Sequence, residues 1–175
     1  MIYLEAIGTK EEKTKFERIY IKYRKIMFYT AERILNDRHM AEDAVHQAFL
    51  RIINHMEKID EADCHKTKAF LVIITEHIAI DIYRKRKQED TLSFDEFEIY
   101  ISGGASFEDE VIDEVSEAVL KLPINYSTVL KLKFYLGYSD FEIAKILDIT
   151  EDNVRQRISR AKKKLSELLV EKGIM

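Results

Sequence analysis

Apolar residues recur at helical intervals along most of this chain. Between positions 11 and 35 they fall at Phe16, Ile19, Tyr20, Tyr23, Ile26, Met27, Ala31, Ile34 and Leu35, which predicts one long amphipathic helix. Asn36-Asp37 interrupts the pattern and can cap the next element. From Met40 to Met56 the inward set is Ala41, Ala44, Val45, Ala48, Phe49, Ile52, Ile53 and Met56, a second helix. Residues 57–66 lack periodicity and read as a loop. Lys68 to Lys87 is a third helix, and its first three turns are apolar on nearly every side. Such a helix belongs at the centre of a bundle. No proline or glycine occurs in residues 10–88, which argues for helices and against strands there.

The pattern then changes. Residues 88–110 are acidic, contain Gly103-Gly104 and carry no long period, so they read as a linker with a short ordered piece around Leu92 to Ile101. Helix resumes near Glu108, with Val111, Ile112, Val115, Ala118, Val119 and Leu122, and Pro123 stops it. A further helix is expected over 125–136, with Val129, Leu130, Leu132 and Phe134 as its apolar positions and Gly137 as its end.

Residues 137–165 predict two helices joined by a tight turn. Ser139 stands three residues before Glu142, the capping-box spacing. Phe141, Ile143, Ala144 and Leu147 would line the buried side of the first helix. Asp148 and Ile149 would turn the chain, and Thr150 would cap the second helix, with Glu151 and Asp152 in its first turn. In that helix Val154, Ile158, Ala161 and Leu165 point inward. Arg155, Gln156, Ser159, Arg160 and Lys163 are left outside, a polar basic face suited to the DNA major groove. The same pattern suits an ordinary helical hairpin with a solvated charged face. The fold class expected is all-α: residues 1–88 and 111–175 as two small helical domains, joined by an acidic linker at 89–110.

Charge sharpens this division. The formal net charge is −4, but Lys plus Arg against Asp plus Glu is 17 to 14 in residues 1–88, 0 to 11 in 89–120, and 11 to 7 in 121–175. Two mildly basic blocks flank a strongly acidic one. The single cysteine, Cys64, forms no internal disulfide, and with His65 it supplies too few ligands for a metal site. No signal pattern opens the chain and no apolar run approaches a membrane span, so a soluble, cytoplasmic protein is expected without membrane insertion. No phosphate-binding glycine loop, nucleophile motif or paired metal ligands appear. Neither an enzyme nor a cofactor is expected.

The order of these parts resembles the extracytoplasmic-function sigma factors of the sigma-70 family, which direct bacterial RNA polymerase to promoters. The likeness runs from about Phe16 to Leu169. Ala41–Ile52 (AEDAVHQAFLRI) is similar to the segment that docks on the clamp helices of the polymerase β′ subunit. Lys68–Lys87 (KAFLVIITEHIAIDIYRKRK) is similar to the segment that opens the promoter, and Leu122–Leu165 to the region that reads the minus-35 element. LSFDE (Leu92–Glu96) matches the linker. The chain departs from the usual pattern at His46-Gln47, at Phe70, at Ile73, Glu76 and His77, and at the turn residue Asp148.

The resemblance implies core RNA polymerase, through β′ and β, and promoter DNA as partners, with an anti-sigma protein as a further candidate. It assigns polymerase binding to Glu42, Asp43, His46, Gln47, Phe49 and Arg51. It assigns the opened strand to Asp60, Lys66, Lys68, His77, Asp81, Arg84, Lys85, Arg86 and Lys87, and places capture of a flipped base in the loop Asp60–Lys66. It assigns the duplex to Ser139, Thr150, Glu151, Asp152, Asn153, Arg155, Gln156, Ser159, Arg160, Lys163 and Lys164. Among these, Arg155 or Arg160 suits guanine, Gln156 adenine, and Glu151 or Asp152 a cytosine amino group, while Lys162, Lys163 and Lys164 suit phosphates. Two other readings stay open: a helix-turn-helix regulator that works without polymerase, and a helical interaction protein that binds polymerase or an inhibitor without reading DNA.

Overall fold

A computed structural model describes residues 7–59, 62, 64–88 and 114–173. Asp60 and the expected linker at 89–110 lie outside the described residues. The chain divides into two compact units, Met1–Ser93 and Phe94–Met175. Among the described residues all regular structure is helical.

The first unit is built from three long helices. Helix α1 spans Lys10–Leu35. A capping box at Thr9 and Glu12 starts it: the Glu12 amide donates to Thr9 Oγ1 at 3.2 Å, and the Thr9 amide donates to the Glu12 carboxylate at 3.3 Å. Asn36 ends it in the left-handed region at φ 49°. Asn tolerates that conformation better than most residues do. Asp37 then caps α2, Arg38–Ile53, by accepting from the Met40 amide. A 3₁₀ turn at Met56–Lys58 comes next. Lys15 ties it to α1 by donating to the carbonyls of Ile59 at 2.6 Å and Met56 at 3.3 Å.

Helix α3 spans His65–Gln88 and starts three residues before the pattern predicted. The Thr67 amide points at Cys64 Sγ, 3.4 Å away, so the lone cysteine occupies the position where a serine or aspartate would cap. Every residue from Ala69 to Ile80 is buried, as an apolar-all-round helix requires. Thr75 deals with its hydroxyl locally by donating to the Leu71 carbonyl at 2.7 Å. The core of this unit joins Phe16, Ile19 and Met27 of α1, Phe49 and Ile52 of α2, and Phe70, Leu71, Ile73, Ile74 and Ile80 of α3. Phe16 and Phe49 meet edge to face at 5.7 Å, and Tyr20 joins Phe49 at 4.9 Å.

The second unit has shorter elements: α4 (Glu114–Leu120), α5 (Ile124–Leu130), α6 (Asp140–Leu147) and α7 (Glu151–Glu171). Its central cluster is Leu122, Leu130 and Ala161, with Val119, Tyr126, Leu165 and Leu168 packed around it. Pro123 separates α4 from α5 and occupies the N-cap position of α5. The helix expected over 125–136 is not uniform, because α5 widens into a π-turn at Lys131–Tyr135. The wider turn shifts the facing of every residue after it. Phe134, expected among the apolar positions, is accordingly 60% exposed. Gly137 then takes φ 79°, a left-handed conformation that glycine adopts without steric cost.

Candidate nucleic-acid and polymerase interfaces

The helix-turn-helix forms where the sequence placed it. Ser139 Oγ accepts from the Glu142 amide at 3.2 Å, and the Glu142 carboxylate accepts from the Ser139 amide at 2.8 Å. Ile143, Ala144, Ile146 and Leu147 are buried, while Phe141 is 53% exposed and does not join them. Two positions earlier than Ile143, Phe141 falls outside the inward stripe, and the Lys145 ammonium stacks over its ring at 4.3 Å. Asp148 makes the turn in the left-handed region at φ 56°. Thr150 caps α7 by accepting from the Asn153 amide at 3.2 Å. The hydroxyls of Ser139 and Thr150 are thus engaged in capping helices.

Along α7, Val154 and Ala161 are buried and Ile158 and Leu165 are half-buried. Asp152, Asn153, Arg155, Gln156, Ser159, Arg160 and Lys163 are exposed together. Glu151 and Lys164 are intermediate. The Arg155 guanidinium reaches back to Asp152 at 2.7 Å and to Glu151 at 3.3 Å. The hydrogen bond that Arg155 donates to Asp152 is the main reason its pKa is raised. Both ends of the fork are therefore engaged by acids of the same helix. Lys162 instead stacks over Phe134 at 5.0 Å.

In the first unit, the outer face of α2 shows Glu42, Asp43, His46 and Gln47, all exposed, with Arg51 at its edge. Phe49 does not belong to that face: it is buried against Phe16 and Tyr20. At the far end of α3, Lys85, Arg86 and Lys87 are exposed and Arg84 is half-buried. Burial lowers the Arg84 pKa, against the opposing pull of Asp81. Arg86 Nη1 lies 3.8 Å from Met40 Sδ, so this basic end meets the start of α2.

The middle of α3 differs from expectation. His77 is only 5% exposed, with Nδ1 3.2 Å from Asp81 Oδ2, and it is not presented to a ligand. Glu76 is buried as well and faces Arg33 at 3.7 Å. The cause is the helix's position, since the three turns around His77 are covered on all sides. Lys66 belongs to the first turn of α3 and not to a loop. Lys68 is half-buried one turn along and Asp81 is half-buried. Among the described residues, no group of three or more His, Cys, Asp or Glu side chains could hold a metal ion.

Two family models match the chain. One, described as sigma-70 region 2, covers residues 19–89, the body of the first unit. The other, described as sigma-70 region 4, covers residues 112–165, the helix-turn-helix and the helices before it. The chain belongs to the sigma-70 family and has the make-up of its extracytoplasmic-function members. It is 28% identical to the ECF RNA polymerase sigma factor SigW of Bacillus subtilis, over 91% of each chain. It is 27% identical to SigM of the same organism, over 87% of this chain and 93% of that protein. SigL of Mycobacterium tuberculosis is 27% identical over 89% of both. No helix among the described residues is long and apolar enough to cross a membrane.

Proposed function

We propose that the chain is a cytoplasmic sigma factor in which the two units divide the work of promoter recognition. It binds core RNA polymerase and directs it to promoters, and the polymerase supplies the chemistry. The first unit grips the β′ clamp helices through the exposed face of α2, at Glu42, Asp43, His46 and Gln47. Phe49 supports that face from beneath. The basic end of α3, Arg84 to Lys87, holds the backbone of the opened strand. Separating the strands costs a few kcal/mol per unstacked base, and such phosphate contacts help to offset it.

The second unit reads duplex DNA through α7 and contacts the β subunit. On binding, the Arg155 fork exchanges its pairs with Asp152 and Glu151 for a guanine edge, which frees an acidic acceptor for a neighbouring cytosine amino group. Gln156 suits adenine. Arg160, Lys163 and Lys164 track phosphates, which position the helix without specifying sequence. The observation that carries this reading is the exposed run on α7, laid out on one side of a capped recognition helix over a buried apolar stripe. An anti-sigma protein would act by covering the α2 and α7 faces.

Run-off transcription on genomic templates tests the proposal. Core polymerase with the purified chain should start at a discrete set of promoters that core polymerase alone ignores. Unchanged start sites would refute it. Co-purification with core polymerase separates it from a regulator that works on DNA alone.

A further inference from the structure

Among the described residues, the outer face of α1 carries a basic patch that the proposed roles leave unused. Arg18, Ile21, Lys22, Lys25 and Tyr29 succeed one another around one side of the helix, most of them three or four residues apart. All five are exposed, Ile21 at 80% and Tyr29 at 55%. From Arg18 to Ala31 the sequence carries four cations and no acid, with Glu17 and Glu32 bracketing the run. Lys25 lies 5.9 Å from the ring centre of exposed Tyr29, and Arg38, at the start of α2, lies 5.5 Å from that of half-buried Phe28. Arg38 stands two residues from Met40, which Arg86 of α3 touches. The start of α2 thus meets both α1 and the basic end of α3.

We propose that the outer face of α1 is a second nucleic-acid surface, a track for single-stranded DNA leaving the basic end of α3. An exposed ring beside a row of cations suits a sequence-tolerant strand: a base stacks on Tyr29 while phosphates meet Arg18, Lys22 and Lys25. Arg18 to Tyr29 spans about 17 Å at the helical rise, enough for a few nucleotides. Charge selects this occupant over a protein, because docking patches are depleted in lysine at their centres. The polymerase-facing candidate on α2 is acidic by contrast.

The location of this track rests on the strand-handling role assigned to α3, but its test does not. The full chain is titrated into a fluorescein-labelled oligo-dT of about twelve nucleotides, with anisotropy read across a range of salt concentrations. Lys22→Gln with Lys25→Gln should weaken binding about tenfold and lower the log–log salt slope by about 1.4, two single-strand phosphate contacts. Tyr29→Leu keeps the apolar area and removes the ring. It should weaken binding about fivefold or more with the salt slope unchanged. The matched control, Lys10→Gln with Lys13→Gln, removes the same charge from the start of the same helix and should change binding less than twofold.

No oligo-dT binding by the native chain at low salt, or equal losses in control and test pairs, would overturn the track. So would variants that lose core polymerase while keeping oligo-dT, which would make the face a protein-docking surface. If the chain gave polymerase no promoter selectivity yet bound oligo-dT through α1, the sigma reading would fail and the track would stand. Normal selectivity with native oligo-dT binding by the α1 variants would have the opposite meaning.

Discussion

The two units use helices in opposite ways. The first surrounds α3, whose residues from Ala69 to Ile80 are all buried, and apart from Glu76, which faces Arg33, its charges described above lie at the helix end and on the outer faces of α1 and α2. The second packs shorter helices over buried residues such as Leu122, Leu132, Ile143, Leu147 and Val154 and lays a whole side of α7 open. A buried helix can be held rigidly, but only its ends and neighbours meet a ligand. An amphipathic helix presents a reading face along its whole length and draws its stability from one stripe and its caps. The contrast fits the division of work proposed for them: gripping and strand handling by a deep core, base reading by an open helix.

The comparison can be broken most forcefully at Phe49. Replacing it with alanine should cost about 3–5 kcal/mol, the usual range for a buried aromatic. Denaturant unfolding should then show the first unit melting early. A native midpoint would mean that the α1–α2 contact is not central to that core. If the second unit unfolded in step, the two would not be independent.

Arg155→Ala comes next. It should relax sequence preference by about 1–3 kcal/mol, the worth of a good bidentate base contact, whereas Lys163→Ala should weaken all duplexes alike. Binding of promoter and random duplexes by the holoenzyme separates the two. Equal losses for Arg155→Ala on both duplexes would remove it from base reading.

Thr150→Ala should cost about 1 kcal/mol, because the Asn153 amide loses its acceptor at the start of α7. Thermal unfolding followed by circular dichroism measures this, and the first unit should be unaffected. The smallest effect is expected at the turn. Asp148→Gly should stabilise the second unit by up to about 1 kcal/mol, by relieving a left-handed non-glycine residue at φ 56°. The entropy of a more flexible unfolded chain offsets part of that gain. A loss of stability would mean that the Asp148 side chain contributes more than its strain costs.

How much could be read in advance differs between the units for the same reason. Asn36-Asp37, the Ser139–Glu142 capping box, Asp148 and Thr150 all take the caps and turns that the sequence suggests, because these are set by neighbours a few residues away. The exposed side of α7 is legible because its apolar stripe is narrow. In α3 the apolar residues lie on every side, so periodicity cannot say which face looks outward. His77, expected at the opened strand, is enclosed there together with Glu76. Phe134 and Phe141 mislead for related reasons: a π-turn rotates the first, and the second lies just off the inward stripe beside a lysine able to cover it.

The helices, most of their caps, the acidic segment between two basic blocks and the side of α7 that faces out were all legible along the chain. These arise from local backbone preferences and from the period of apolar positions. Packing between distant residues settled that His77 is enclosed and that Arg86 brings the end of α3 to the start of α2; it also favoured the inward position that periodicity gave Phe49 over the polymerase-binding role that the resemblance gave it. Those facts depend on which distant residues pack together, and a one-dimensional pattern records a residue's apolarity without recording what will cover it.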